Sequence, residues 1–390
     1  MSARSPLVVF SDDWGRHPSS CQHLIRRLLD HREVVWVNTI GMKPPAFNLF
    51  TMKRGFEKIR EWTFGAKPPP TELGSSPGPS LRVVSPKMWP SFRSLWSRAL
   101  NRGLVLRSLR PIVASLPSPP IVITTLPVLG GLVGEFPAAR WVYYCVDDFS
   151  VWPGLDGETV RKRERELVAK VDAVVAVSET LQQHIAKLGK PSHLLTHGVD
   201  LEHWRKVRPT EVPASLREIA AQPGPRVVFW GVVDRRMDVP FVRKLSESLN
   251  SGSILLIGPQ DDPDPQLLKL PRVRLLPSVA YADLPSLAGL SDVLVMPYAD
   301  LPVTRAMQPL KLKEYLATGK PVVVSDLPTT RQWADSLDVV STPEAFAKVV
   351  QERLRDGVPK SQREARVKLD LEGWTAKAAQ FETWLDGAGD

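Results

Sequence analysis

Residues 309–325 read Pro-Leu-Lys-Leu-Lys-Glu-Tyr-Leu-Ala-Thr-Gly-Lys-Pro-Val-Val-Val-Ser, a stretch that predicts one short helix followed by one buried strand. Pro309 suits a first helical position, where no backbone N–H is needed. Leu310, Tyr315, Leu316 and Ala317 supply apolar positions, and Gly319 is a good left-handed stop. Pro321 ends any continuation, and Val322, Val323 and Val324 form a β-branched run. Upstream, Asp292–Tyr298 reads as another buried strand. Strand, loop, helix and strand in that order make the repeat of a parallel α/β sheet.

Two polar residues in this helix need an account. Lys311 falls in the first turn, where the helix dipole disfavours a cation, and Glu314 follows on roughly the same face. A lysine beside the free N–H groups of a helix start makes a good diphosphate site. A carboxylate about one turn deeper can accept both hydroxyl protons of a ribose. The two residues fit a nucleoside diphosphate lying over the helix N-terminus, and they equally fit a surface ion pair of negligible value.

The segment Pro-Leu-Lys-Leu-x-Glu-Tyr-Leu-Ala-x-Gly-Lys-Pro-Val-Val resembles the nucleotide-sugar segment of GT-B glycosyltransferases. The match is best to the large retaining group called glycosyltransferase family 1 or 4, which includes surface-polysaccharide enzymes. The resemblance covers most of residues 200–386 and residues 1–200 only in outline. It implies an α/β protein with two Rossmann-like domains facing a central cleft. It also implies that Glu314 binds the donor ribose, with Leu310 and Lys311 in the same donor segment. His197-Gly198-Val199-Asp200 resembles the Asn-Gly-Val-Asp of the family's interdomain hinge, with His in place of Asn.

Other positions follow the family less closely. Strand Arg226–Trp230 runs into Gly231, and a glycine directly after a strand lets phosphate approach the backbone. Many relatives have an arginine after this glycine, but here Val232 takes that place. Arg235 and Arg236 are the candidates to supply the charge instead, and both also read as solvent-exposed residues. The loop Pro277–Tyr281, with Ser278, matches where relatives bind the nucleobase. Retaining relatives carry a second glutamate eight residues before the one matching Glu314, and that position is Ala306. Donor sugar and stereochemical outcome are therefore open.

Composition narrows the classes. A chain of 390 residues with 43% hydrophobic residues should hold two ordinary domains with full cores. Cys21 and Cys145 are its two cysteines, with no C-x-x-C, so neither a disulfide scaffold nor a zinc site is expected. His193 and His197, four apart on a strand-like stretch, would not face each other, and no metal is expected. The run Met1–Phe10 is too short for a signal peptide, and no segment approaches a membrane span, so a cytoplasmic protein follows. The net charge of +9 is uneven: residues 1–200 hold 26 Lys/Arg and 17 Asp/Glu, and the rest balance. Residues 41–110 alone carry 13 basic and 3 acidic residues, a patch that suggests an anionic surface as partner.

Taken in order, strand Leu7–Phe10, a polar loop and a helix over 19–30 open a doubly wound sheet, with Val34–Val37 as the next strand. The loop lacks both G-x-G-x-x-G and a P-loop; its Asp12, Asp13, Gly15, Arg16 and His17 form either a ligand loop or an ordinary polar turn. Ser91–Leu109 reads as a helix whose Phe92, Leu95, Trp96, Ala99, Gly103 and Leu106 share one face, flanked by Arg93, Arg98 and Arg102. That pattern suits either a membrane interface or a helix docked on the sheet with its arginines snorkelling. No nucleic-acid module is recognised. Tyr143–Asp148 ends a strand with Asp147 and Asp148, where α/β enzymes keep their chemistry. The two acids read as catalytic residues or as caps of the next turn. Trp374–Trp384 is a closing helix, which in GT-B folds crosses back to the first domain.

The sequence thus predicts an acceptor-binding domain over 1–200, a nucleotide-sugar domain over 201–370 and a crossing helix over 371–390. The expected reaction is transfer of a sugar to a lipid-linked or saccharide acceptor, without cofactor or metal, by a cytoplasmic protein whose basic patch allows peripheral contact with the inner membrane face. A sugar-nucleotide epimerase and a non-catalytic binding scaffold are the alternatives.

Overall fold

The computed structural model describes residues 4–15, 19–39, 80–89, 91–152, 154–205 and 211–387. It divides into two compact units, Met1–Thr196 together with Lys377–Asp390, and His197–Ala376. Most of the predicted basic patch, residues 40–79, lies outside the described residues, as do Arg16 and His17.

In the first unit seven parallel strands form one sheet: β1 (Leu7–Ser11), β2 (Val34–Asn38), β3 (Leu81–Val84), β4 (Ile121–Thr124), β5 (Arg140–Cys145), β6 (Ala173–Ala176) and β7 (His193–Leu194), in the order β3-β2-β1-β4-β5-β6-β7. Apolar runs such as Leu7–Phe10 are fully buried, as expected for a parallel sheet covered on both faces. Helices α1 (Ser20–Leu28), α2 (Leu95–Ala114), α3 (Gly157–Val168) and α4 (Glu179–Lys187) connect them.

The second unit repeats the plan with β8 (Arg226–Trp230), β10 (Ser253–Ile257), β12 (Val273–Leu276), β13 (Val293–Met296), β14 (Val322–Ser325) and β15 (Asp338–Val340), in the order β12-β10-β8-β13-β14-β15. Two short strands, β9 (Val233–Asp234) and β11 (Gln260–Asp261), pair beyond the tips of β8 and β10. Helices α5 (Val239–Ser248), α6 (Leu310–Ala317) and α7 (Pro343–Asp356) belong to this unit. The strand order reverses on either side of β8, and ligands of open α/β sheets bind at such a switch point, beyond the carboxyl ends of the strands.

Helix α2 corrects the sequence reading in span and in face. It starts only at Leu95, because the Ser94 hydroxyl accepts from the Ser97 N–H as an N-cap. Its buried side includes Ser97, Asn101, Val105, Leu109 and Ile112, whereas Leu95 and Trp96 are 79% and 64% exposed. Asn101 is buried because its amide holds the preceding loop, donating to the carbonyls of Trp89 (2.9 Å) and Ser91 (3.1 Å).

The closing helix α8 (Trp374–Leu385) belongs to the first unit from Lys377 onward. Phe381 and Leu385 are fully buried, Phe381 against Tyr144, and Trp384 stacks on His193. The buried Arg32 guanidinium donates to Glu382 at 2.6 Å and to both oxygens of Asp386. Burial opposes ionisation of Glu382, but hydrogen bonds from Arg32, Arg4 and His31 outweigh it and hold its pKa at about 2.

Candidate functional site

The site is built where α6 meets the tip of β8. Pro309 is the N-cap of α6, and Lys311 is the second residue of its first turn. The helix is bolted to the strand by Tyr315, which is fully buried. Its hydroxyl accepts from the Trp230 N–H at 2.9 Å and donates to the Trp230 carbonyl at 3.2 Å. Tyr315 thereby satisfies both main-chain groups of the residue before Gly231, which the sheet leaves open at that point.

That bolt sets Lys311 directly against the strand tip. The Lys311 ammonium donates to the Tyr298 hydroxyl at 2.7 Å and lies over the Phe229 ring, 4.5 Å from its centre. Gly231 has φ +139°, and a Cβ there would sit 2.0 Å from Lys311 Nζ, so the position admits only glycine. Gly258, at the tip of β10, backs onto the Gly231 carbonyl in the same way. Lys311 and Glu314 do not form the ion pair that the sequence left open. Among the described residues no carboxylate lies within ion-pair distance of Lys311.

Glu314, half-buried, lies close by. Burial pushes its carboxyl up to about 7, against the opposing pull of Lys311 and of the Trp230 indole. A desolvated carboxyl beside an unneutralised lysine at a strand tip is the sort of pair that structures keep for a ligand.

The two arginines differ. Arg236 is buried, is held by Asp234 with Nε 2.9 Å from both carboxylate oxygens, and lies over the Tyr298 ring, 5.6 Å from its centre. Arg235 is exposed and turned to the acidic loop, where it pairs with Asp262 and Asp264 at 3.1 and 3.3 Å. Leu310 opens α6, and Ser278 is exposed in the loop after β12. Ala306 is buried at the end of the short helix Pro302–Ala306 and brings no carboxylate there. The sequence reading passed over Lys313. It is buried and donates to the His197 carbonyl and to Glu372, so one lysine of α6 faces the site while the other clamps the start of this unit.

In the first unit, Asp148 caps the 3-10 turn Phe149–Val151, accepting from the Ser150 N–H at 3.0 Å and its hydroxyl at 2.6 Å. Asp147 precedes it at the end of β5. Asp12 binds Ser11, Ser19 and Gln22, at distances from 2.7 to 2.9 Å, as a turn-forming residue does. Among the described residues no group of three or more His, Cys, Asp or Glu could hold a metal, and no helix is long and apolar enough to cross a membrane.

The family model for group 1 glycosyl transferases matches residues 224–356, which contain the whole β8–α6 site. Residues 224–356 are thus similar to that family, and the chain as a whole has the GT-B fold. Its overall structure is similar to Anabaena HepE in complex with UDP-glucose, with a TM-score of 0.68 at 13% identity over 98% of this chain and 100% of that one. Sucrose-phosphate synthase from Thermosynechococcus elongatus gives 0.69 at 16% identity, over 98% of each chain. In sequence the chain is 27% identical over 183 residues to TuaH of Bacillus subtilis (strain 168), a protein assigned as a teichuronic acid biosynthesis glycosyltransferase. That match spans 44% of this chain and 45% of the relative, so the chain spans less than half the length of the curated relative it matches.

Proposed function

We propose that the chain transfers a sugar from a nucleoside diphosphate sugar to an acceptor hydroxyl. The observation that carries this is the Gly231–Lys311–Glu314 arrangement: a strand tip with no side chain, a lysine with no carboxylate partner among the described residues and a desolvated carboxyl. Lys311 and the first-turn N–H groups of α6 would stabilise the diphosphate as it leaves, with Arg236 behind them. Glu314 would accept the ribose hydroxyls, and the loop of Ser278 would meet the base. This arrangement needs no bound metal. The relatives named for UDP-glucose and for teichuronic acid synthesis favour a uridine nucleotide and a saccharide or lipid-linked acceptor.

A thermal-shift screen of UDP-, GDP- and dTDP-sugars tests the donor, because a ligand bound to the native state raises its melting temperature. One nucleotide class should shift it. No shift with any of them removes the proposal, and turnover of a sugar nucleotide without an acceptor would move it to epimerisation. Asp147 is the carboxylate we assign to the acceptor hydroxyl. Its Asn variant should turn over roughly 10²-fold more slowly with donor binding intact.

For the acceptor side we propose docking on an anionic membrane, in a cytoplasmic protein. The exposed Leu95 and Trp96, with Trp89 in edge contact with Trp96, form an apolar tip beside Arg93, Arg98 and Arg102. An adjoining groove of about 250 Å³ is lined by Phe92, Arg98, Arg102, Leu129 and Lys170. Aromatic and basic side chains together suit the boundary of water and lipid. Sedimentation with phosphatidylglycerol vesicles should carry the protein down, less so in high salt or after Arg93, Arg98 and Arg102 become Gln. Binding indifferent to lipid charge would point to a soluble acceptor.

A further inference from the structure

One buried polar atom near the candidate nucleotide site is left out of that account. The indole nitrogen of Trp230 is sealed from solvent and makes no hydrogen bond to the described residues. Buried donors are nearly always paired, so an orphan beside a ligand site needs a reason. The ring itself is firmly held. It stacks on Trp204 at 5.7 Å and meets the Tyr315 ring edge-on at 4.3 Å, while Tyr315 takes both main-chain groups of the same residue. A ring so fixed cannot turn its N–H toward another partner.

The group it approaches is Glu314, whose carboxyl it stabilises in the charged form without completing a hydrogen bond. Because the nitrogen is closed to solvent, it cannot reach a ligand directly. It can act only through the carboxyl. We propose that the Trp230 indole N–H is a positioning donor for Glu314, favouring the charged carboxylate and keeping it aimed to receive the ribose hydroxyls of a bound nucleoside.

This inference rests on the nucleotide reading of the site and adds a charge switch to it. Two ribose hydroxyls donate, so they need an ionised acceptor on Glu314. Burial pushes the carboxyl up to about 7. The groups facing it are Lys311 and Tyr315 on α6, Trp230 on β8 and, through Lys311, Tyr298 after β13, with the Arg236–Asp234 pair beyond. Lys311 and the indole favour the anion and burial opposes it. Binding at pH 7 therefore releases a proton from Glu314, and the indole N–H lowers the pH at which that happens.

The test compares Trp230→Phe with the wild type in UDP affinity from pH 5.5 to 9. Phenylalanine removes the donor and keeps an aromatic ring for the stack, and the loss of ring area should act equally at every pH. UDP's own phosphate titrates with a pKa of about 6, so the difference between variants is what is read. The acid-side midpoint should rise by about one pH unit in Trp230→Phe, with affinity above pH 8 nearly unchanged. In a Glu314→Gln background the same substitution should move nothing. A midpoint that stays put, or a loss uniform across pH, would make Trp230 a packing residue and overturn the proposal. Should Trp230→Phe fail to fold, the wild type labelled with ¹⁵N-tryptophan still decides. One indole N–H resonance should titrate near neutral pH and move downfield with UDP, and both responses should vanish in Glu314→Gln. If UDP does not bind the wild type, the nucleotide reading fails, while the titrating indole resonance tests the Trp230–Glu314 coupling separately.

Discussion

Two strand tips, one in each unit, carry acidic residues in opposite circumstances. At the end of β5, Asp148 answers its own local chain, with the Ser150 N–H and hydroxyl filling its carboxylate. At the end of β8, Glu314 arrives from a helix 84 positions along the chain from Trp230, caps nothing, and pays for its place with a pKa near 7. A carboxylate that satisfies nearby backbone is part of the fold, whereas one held desolvated and uncapped is available to a ligand. The difference separates a residue that its turn requires from one that the turn would be better without.

The most severe way to break the comparison is Gly231→Ala. Its Cβ would displace Lys311 and force a left-handed φ, so UDP affinity should fall by about 10²-fold or more in calorimetry. Asp148→Ala should leave that affinity untouched. Next, Glu314→Ala should weaken UDP binding by about 1.5–3 kcal/mol, the size of a lost charged hydrogen bond. Lys311→Ala should reduce UDP binding much more than uridine binding, and equal losses would assign Lys311 to the fold.

A third prediction sharpens the contrast through stability. The native pKa of Glu314 stands above its unfolded value of 4.5, so the unfolded state holds fewer protons between those values and stability falls as pH rises from 4.5 to about 7. Glu314→Gln should therefore stabilise the ligand-free protein at pH 8, by roughly 1–3 kcal/mol, and do little at pH 4. A melting curve at each pH decides. The smallest effect is expected for Asp148→Asn, about 1 kcal/mol of stability from a weakened cap, seen in urea unfolding.

Much of this site was legible because α6 announces itself: Pro309, Gly319 and the valine run after Pro321 are local signals. Lys311 and Glu314 stood out because a cation in a first turn is a local anomaly. What binds them was not legible. The Tyr315 hydroxyl reads as one more apolar position, and its role depends on the Trp230 backbone, far away in sequence. Lys313 looks like a surface lysine until its partners, His197 and Glu372, are brought to it. Helix α2 was legible only in part. Its tryptophan and leucine suited either a membrane interface or a face docked on the sheet, and nothing local showed that Asn101 goes inside, where its amide meets backbone carbonyls of the preceding loop.

The grip of Arg32 on Glu382 and Asp386 has a consequence for how the protein is made. Arg32 leaves the ribosome more than three hundred residues before its partners do. Until they emerge, the first unit has a buried guanidinium with no counter-ion, and Tyr144 and His193 have bare faces where Phe381 and Trp384 belong. The second unit, from His197 to Ala376, closes on its own sequence. The portion synthesised first is thus the last to be completed, and a stalled or truncated chain would present a finished second unit joined to an open one.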